Sequence, residues 1–364
     1  MPTLLSQNFS LVVQDRDAKT HPPEESVVTT TLHQEPASEV PPSAPTTTTA
    51  IEEVNEQKPI EVTVAMPTIS IWTAAEQGDV STLTQYIQRH PHPADLLNKR
   101  DPVSECTLLH LAIVSSHSSD TFATLDCLLR HGANPSARNI DNVQALHTIP
   151  LHHGHDKDKT LACMRLVLDH NDGNTQCRDG DGWTPLHYAA RFIPSDPWPV
   201  MQLLLAHGAD LMAKEYSTQR TPLFALFANG DHVHVLHEIY TTTSSSSLAL
   251  WQQCAEFIDP NTRRSYHASL VLQAVKYRRM NILQWLVTTV PVLDALVDVV
   301  TPQELSLATH LCSHDMLPCL QTLAALVATK RAKKPATIEP LVTRLFRFLS
   351  RHKKHIQEGE RIAV

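Results

Sequence analysis

The sequence predicts an all-α protein built as a solenoid of stacked helix pairs. One block of residues recurs along the chain. From Trp72 in the first copy to His110 is 38 residues, and the further spacings are 37 to His147, 40 to His187 and 37 to Phe224. An apolar run with helical periodicity follows each of the three middle blocks. Hydrophobic residues make up 42% of the chain and aromatic residues only 5%, so small aliphatic side chains must do most of the packing. Each helix pair then has an apolar face that only a neighbouring pair can bury.

The block that starts at Thr184 explains how each helix pair forms. Thr184 suits the N-cap of a first helix, and Pro185 suits the first helical position, where its missing N–H costs nothing. Leu186 is expected in the core, and the small pair 189–190 allows neighbouring helices to approach closely. Gly208 follows the second apolar run, where a left-handed residue ends a helix. The block therefore predicts a helix–turn–helix unit.

Five such blocks begin at Trp72, Thr107, Gln144, Thr184 and Thr221, and they resemble the ankyrin repeat. The copy DGDGWTPLHYAARF, with LLLAHGAD after it, is close to the family's consensus, and the resemblance covers residues 70 to about 240. It implies a right-handed stack of helix pairs with β-hairpin tips. It also implies that the histidine of each block bridges backbone and hydroxyl groups between repeats, and that the array binds a protein partner.

Composition divides the chain into four parts. Residues 1–66 are rich in Pro and Thr and carry 3 Lys/Arg against 10 Asp/Glu, a net charge of −7, which predicts a disordered acidic arm. Residues 67–240 hold the repeats, and residues 241–329 hold degenerate ankyrin-like helical repeats after an exposed loop at the serine run 244–247. Residues 330–364 carry 10 Lys/Arg against 3 Asp/Glu, a net charge of +7, and form a basic tail.

Several classes of protein are disfavoured by composition. Seven cysteines without a CxxC motif predict reduced thiols in the cytoplasm or the nucleus, and the N-terminus lacks the pattern of a signal peptide. The apolar stretch Ile282–Val300 contains Asp294 and Asp298, which favours a buried helix pair over a membrane span. A formal net charge of −8 argues against direct nucleic-acid binding. We expect a monomer.

Catalytic and metal-binding patterns are also missing from the sequence. There is no GxSxG, P-loop, GxGxxG or HExxH motif, so we expect neither an enzymatic activity nor a cofactor. Two histidine clusters lack the spacing of a four-ligand zinc site, and we expect solvated side chains in them. The clusters are His152, His153 and His155, with Cys163 nearby, and His232, His234 and His237.

By resemblance, the partner-binding surface consists of the hairpin tips and the exposed face of the first helices. Trp, Tyr and Arg dominate interface energies, and several of them fall on this surface. Trp183 suits either binding or packing on the adjacent hairpin. The candidate residues are Asn142, Arg178, Asp179, Asp181, Trp183, Tyr188, Arg191, Tyr216 and Arg220.

A second candidate surface comes from insertions between the two helices of three successive repeats. The inserted segments are VSSHSSDTF (114–122), PLHHGHDKDK (150–159) and FIPSDPWP (192–199). Stacking would gather them into one rim opposite the hairpin tips. Neutral loop drift explains them equally simply, because long surface loops cost little.

The tail leaves further alternatives open. Lys330–Lys334 fits a loose nuclear-import signal or a solvated linker. Residues 338–356 have the pattern of an amphipathic basic helix, which could cap the solenoid or dock on an acidic partner or a membrane surface. We expect a non-enzymatic adaptor that binds a partner protein through the concave face and the tips. The alternatives are a nuclear regulatory cofactor acting with a DNA-binding subunit, and a substrate receptor for a ligase, although no F-box, BTB or RING pattern is visible.

Overall fold

The computed structural model describes residues 67–115, 120–171, 173–243, 248–259 and 262–333. The predicted disordered arm at 1–66, the loop at 244–247 and the amphipathic helix at 338–356 lie outside the described residues. The chain divides into two compact units, one up to Ala133 and one from Asn134 onward.

The first unit consists of two helix pairs and a short connecting helix. Its elements are α1 (Ile71–Gln77), α2 (Val80–Arg89), α3 (Pro93–Leu97), α4 (Leu108–Val114) and α5 (Thr121–Arg130). Helix α1 packs on α4, and α2 packs on α5. Ala74 and Ala75 of α1 are fully buried, which allows the close helix contact that small side chains permit.

The second unit continues the helix pairs through residue 333. The first helix of each pair belongs to the set α6 (Ala145–His153), α8 (Pro185–Phe192), α10 (Pro222–Asn229), α13 (Leu270–Lys276) and α16 (Pro302–Leu311). The second helices are α7 (Lys157–His170), α9 (Trp198–Ala206), α11 (Val233–Thr242), α14 (Met280–Thr288) and α17 (Leu317–Lys333). Two further helices are α12 (Leu248–Trp251) and α15 (Val290–Val299), and a 3-10 turn spans His314–Met316.

The first helices stack in chain order and form the core of this unit. Helix α8 packs between α6 and α10, α10 contacts α13, and α13 contacts α16. Leu186, Ala189 and Ala190 of α8 are fully buried, as expected. Gly208 has a φ of 82° and follows α9, so the predicted left-handed helix end is present. The predicted solenoid of stacked helix pairs is confirmed.

The chain is mostly helical, as predicted, and it also forms one two-stranded antiparallel sheet, between α12 and α13, that was not predicted. Strand β1 (Cys254–Ile258) pairs with β2 (Ser265–Ser269), and Ala255 lies opposite Ala268. The burial of side chains along β1 alternates with a period of two, as in a strand with one face on the core.

The second insertion is also different from the expected loop. Residues of PLHHGHDKDK extend α6 to His153 and begin α7 at Lys157, so only 154–156 separate the two helices. A Cβ on Gly154 would meet the backbone oxygen of Phe192 at 2.1 Å, which shows how closely the end of α6 approaches the end of α8. The insertion therefore lengthens the helices more than the loop.

The apolar stretch Ile282–Val300 forms the predicted buried helix pair. Leu283 and Leu286 of α14 and Leu296 of α15 are fully buried. Within the described ranges, no single helix is long and apolar enough to cross a membrane. Helices α14 and α15 together meet that test of length and composition, but the chain bends by 96° between them.

Candidate functional site

The hairpins between successive helix pairs are each held by one buried acceptor side chain. The carboxylate of Asp179 accepts the backbone N–H groups of Asp181 at 3.0 Å and Trp183 at 2.8 Å. Asn139 holds the preceding hairpin in the same way, and Glu215 holds the following one. These acceptors satisfy turn N–H groups that have no partner in a helix.

Single backbone hydrogen bonds join the hairpins into a continuous surface. The N–H of Gly180 donates to the carbonyl oxygen of Asp141 at 2.8 Å, and the N–H of Tyr216 donates to that of Asp181 at 2.9 Å. The next link joins β1 to the third hairpin, where the N–H of Glu256 donates to Thr218. We call the surface formed by residues 138–143, 178–183 and 214–220 the hairpin ridge.

Buried histidines tie each first helix to the next hairpin. The Nε2 of His187 lies 3.2 Å from the carbonyl oxygen of Arg220, and its Nδ1 accepts the backbone N–H of Thr184 at 3.1 Å. His147 bonds to the carbonyl oxygen of Trp183 in the same way. Burial lowers the pKa of both rings to about 4, so both are neutral near pH 7. The predicted bridging of backbone and hydroxyl groups between repeats is present, and Thr184 contributes the hydroxyl.

An open cleft of about 490 Å³ lies between the hairpins of the ridge. Its lining is mostly polar, with two arginines, three side-chain amides and one tyrosine ring. The lining residues are Arg138, Asn142, Asn174, Gln176, Cys177, Arg178, Asp179, Gly180 and Tyr216. Three successive hairpins therefore contribute to one recess.

The two arginines of the cleft differ in whether their side chains are hydrogen-bonded within the chain. The Arg178 guanidinium donates to the carbonyl oxygens of Gly182 at 2.8 Å and Lys214 at 2.7 Å, and it lies 5.8 Å from the centre of the Tyr216 ring. Arg138 is exposed and forms no hydrogen bond or ion pair with the described residues. Arg178 is thus part of the scaffold, and Arg138 is available to a ligand.

Comparisons with known proteins agree with this geometry. Residues 119–215 match a family model described as ankyrin repeats in three copies. This part of the chain consists of ankyrin repeats.

Two relatives are similar in sequence to part of this chain. The chain is 37% identical over 100 residues to a putative ankyrin repeat protein of Acanthamoeba polyphaga mimivirus, a match that covers 28% of this chain and 12% of the viral protein. It is 27% identical over 186 residues to the human B-cell lymphoma 3 protein, covering 48% of this chain and 37% of the human one. The chain thus spans well under half the length of either relative.

The ankyrin hairpins bring some of the predicted binding residues together. Asn142, Arg178 and Tyr216 line the cleft, and Tyr216 is 61% exposed. Asp181 is exposed at the tip of the second hairpin, and Arg220 is half-buried at the end of the third.

Two predicted residues do not have the exposed position expected of them. Tyr188 is only 1% exposed and Asp179 only 4%. The Tyr188 hydroxyl donates to the second carboxylate oxygen of Asp179 at 2.7 Å, so the two side chains satisfy each other inside the repeat. Because the Asp179 carboxylate is already occupied by this bond and by turn N–H groups, it gives no reason to expect a basic partner.

Trp183 and Arg191 lie away from the cleft, beside helix α8. The half-buried Trp183 ring is 5.8 Å from the Tyr188 ring and 6.4 Å from that of Phe192, centre to centre. The Arg191 guanidinium lies 5.6 Å from the centre of the Phe192 ring. The packing role weighed for Trp183 is therefore observed, and a binding role for its exposed edge stays a prediction.

The insertions of this unit do come together. Asp196, in the third insertion, lies 3.8 Å from the Lys157 ammonium of the second and accepts a hydrogen bond from Nε2 of His234 at 2.9 Å. Hydrogen bonding to His234 contributes to a lowered pKa for Asp196, despite the opposing effect of burial. We call the surface around Lys157, Asp196 and His234 the insertion rim.

The histidine clusters are only partly solvated. His155, His234 and His237 are exposed, as expected, but His153 and His232 are buried, and that part of the prediction is wrong. Helical packing encloses both rings, because the insertion residues extend α6 and the chain folds back before α11. No group of three or more His, Cys, Asp or Glu side chains suited to a metal ion occurs among the residues described.

Arg138, Ile140 and Lys214 are among the exposed residues of the hairpin ridge that were not predicted. A signal for the cations does exist, because a cation followed by a turn-holding acceptor recurs along the chain. The recurring pairs are Arg100–Asp101, Arg138–Asn139, Arg178–Asp179 and Lys214–Glu215. In the three pairs that belong to the ridge, the acceptor (Asn139, Asp179 or Glu215) is buried, and the cation before it is exposed or half-buried.

Proposed function

We propose that this ankyrin-repeat protein is a non-enzymatic adaptor that binds a partner protein through the hairpin ridge. Ankyrin repeats indicate protein–protein interaction. The position and the chemistry of the binding surface are the specific part of the proposal.

The distribution of exposed apolar side chains carries the proposal. Among the described residues beyond 133, seven large hydrophobic side chains are exposed. Four of them lie in or beside hairpins, namely Ile140, Met212, Tyr216 and Ile258. Ile140 and Tyr216 are each 61% exposed. Exposed apolar groups interleaved with arginine are typical of an interface. The insertion rim offers Lys157, Asp196 and His234 instead, and these are already paired with one another.

Affinity capture with two matched variants tests the proposal. The ridge variant is Ile140→Ser with Tyr216→Ala, and the rim variant is Lys157→Ala with His234→Ala. Each pair removes exposed side chains, and their thermal unfolding shows whether the fold is kept. We expect the ridge variant to lose the partners that the natural chain captures and the rim variant to keep them. If only the rim variant lost the captured partners, the binding surface would be the insertion rim and the proposal would be wrong.

The alternative of a nuclear regulatory cofactor depends on the basic run at residues 330–334. The Lys330 ammonium is bound within the fold, 3.0 Å from a carboxylate oxygen of Asp298 and 3.3 Å from the carbonyl oxygen of Asp294. Lys334 lies outside the described residues. Because one cation of the motif is engaged, the structure favours the adaptor. Localisation of a tagged chain, with and without Lys333→Ala and Lys334→Ala, separates the two.

A further inference from the structure

The cleft in the hairpin ridge has chemistry beyond that of a general protein-binding surface. Its lining contains two cations from different hairpins, Arg138 from the first and Arg178 from the second. Lys214, at the start of the third hairpin, is exposed but is not part of the lining. Neither Arg138 nor Lys214 has a hydrogen-bond acceptor or an anion for its side chain within the described ranges. Arg138 on the first hairpin is therefore an unpaired cation inside the recess, and Lys214 on the third hairpin is a second one outside the lining; both favour an anionic ligand.

The acidic groups nearby do not cancel this positive charge inside the recess. Asp179 is the one carboxylate in the lining, and it is occupied by the Tyr188 hydroxyl and by turn N–H groups. Burial raises the pKa of the Cys177 thiol to about 12, so the thiol in the lining is uncharged. Asp141 and Asp181 lie at the outer ends of the hairpins and are not part of the lining. A ligand therefore meets cations within the cleft and carboxylates at its edge.

The polar lining also supplies hydrogen-bond donors. Asn142 has a side-chain amide, and its φ of 59° sets it in the left-handed turn that asparagine tolerates. An arginine beside an amide is suited to bind a carboxylate, because both donate N–H groups. The exposed Tyr216 ring in the lining and the exposed Ile140 side chain, two residues after Arg138, offer apolar contacts. This combination fits a peptide that alternates acidic and apolar side chains.

We propose that the cleft binds an acidic segment of a partner protein, with Arg138 pairing with an Asp or Glu side chain of that segment. This inference rests on the proposed function and adds the chemical class of the partner. The segment's carboxylate enters between the first two hairpins, and a neighbouring apolar residue packs on the Tyr216 ring.

Fluorescence anisotropy with a defined probe tests the proposal. The probe is a short labelled peptide that alternates glutamate with leucine, and its neutral counterpart has glutamine in place of every glutamate. We expect the full chain to bind the acidic peptide at least about tenfold more tightly than the neutral one, with the difference shrinking as salt screens the exposed charges. Equal affinity for the two peptides would overturn the proposal.

A matched pair of charge reversals shows whether the cleft is the site. Arg138→Glu places the change in the lining, and Arg165→Glu makes the same change on the exposed face of α7. We expect Arg138→Glu to weaken binding of the acidic peptide by about tenfold and Arg165→Glu by less than about twofold. An equal loss for both variants would indicate non-specific attraction and contradict the cleft. Arg138 contacts no acceptor in the described residues, so its replacement should leave the fold intact.

The chain's own acidic arm is the other possible occupant. Replacing Glu52, Glu53, Glu56 and Glu61 by glutamine in the full chain removes much of the arm's charge. We expect no change in affinity for the acidic peptide. Tighter binding would show that the arm occupies the cleft, and the assignment to a partner protein would be wrong. If the ridge variant loses its captured partners while Arg138→Glu keeps them, the adaptor function stands and only the acidic class of the partner fails.

Discussion

At the scale of single residues, Leu186 and His187 show how one side chain holds a repeat together. Leu186 of α8 has no exposed surface and lies where α6, α8 and α10 pack. Removing its side chain leaves a cavity that the tightly stacked helices fill only in part. We expect Leu186→Ala to lower the free energy of unfolding by about 2–5 kcal/mol, measured by urea denaturation. Leu166 is half-buried on the second helix α7, and Leu166→Ala should cost clearly less.

His187 predicts a dependence of stability on pH. Its pKa in the folded chain is about 4, because burial opposes protonation, whereas the ordinary value is 6.5. The unfolded chain therefore binds a proton near pH 6.5 and the folded chain only near pH 4. The free energy of unfolding is therefore highest above pH 6.5, the pKa of the ring in the unfolded chain. It falls as the pH drops towards 4, the pKa of the ring in the folded chain. His147 behaves in the same way.

We expect each of these histidines to lower the free energy of unfolding by on the order of 2 kcal/mol when the pH falls from about 7 to about 5. Urea titrations at both pH values measure the loss. His187→Gln removes the titrating ring, so the variant should be less stable near neutral pH but lose less on acidification. If natural chain and variant lose the same amount, the buried ring is not the cause.

The sequence predicted which side chains are buried better than it predicted which side chains bond to each other. The pattern around Thr184 indicated a buried Leu186 and a close Ala189–Ala190 contact, because helical periodicity and side-chain size are local properties. The bond between Tyr188 and Asp179 was not predictable in this way, since it depends on how the hairpin folds back over α8. Both residues look like surface residues until that geometry is known.

At the scale of elements, the second insertion makes a close contact where the end of α6 meets the end of α8. A Cβ on Gly154 would lie 2.1 Å from the backbone oxygen of Phe192 and 2.5 Å from that of Pro150. Backbone atoms cannot move aside as a flexible side chain can. We expect Gly154→Ala to separate the two helix ends and to cost about 1–3 kcal/mol of stability or more.

Gly208→Ala is the matched control for this prediction. Gly208 has a φ of 82°, so alanine is strained there, but no atom lies within 4 Å of the added Cβ. Its cost should be about 1–2 kcal/mol from backbone strain alone. Thermal unfolding measures the stability lost in each variant. Gly154→Ala reports the cost of steric overlap, and Gly208→Ala reports the cost of backbone strain. A milder effect for Gly154→Ala than for Gly208→Ala would contradict the close packing of α6 on α8.

The elements differ in how well the sequence predicted them. Helices α8 and α16 begin where Thr184–Pro185 and Thr301–Pro302 indicated, because a cap and a proline act locally. Strands β1 and β2 were missed, since five residues give little periodicity and the surrounding pattern is helical. The cleft could not be read from one repeat either, because its lining comes from three hairpins that only stacking brings together.

At the scale of the whole molecule, disorder of the acidic segment 1–66 stays a prediction. Its charge and its Pro/Thr content leave too little apolar surface to offset the entropy of ordering. We expect a glutamate-specific protease to cut early at Glu53, Glu56 and Glu61 and to leave a helical core, as measured by mass spectrometry and circular dichroism. Cutting of the arm no faster than of the helix pairs would contradict this.

Hydrogen exchange on the chain with a captured partner tests the central claim, that the hairpin ridge is the binding surface. Exchange of backbone amides slows where a partner excludes water and restricts local opening. We predict slower exchange in residues 138–143, 178–183 and 214–220, and unchanged exchange in 154–159 and 192–197. Slower exchange confined to those last two segments would show that the partner binds the insertion rim and would contradict the account.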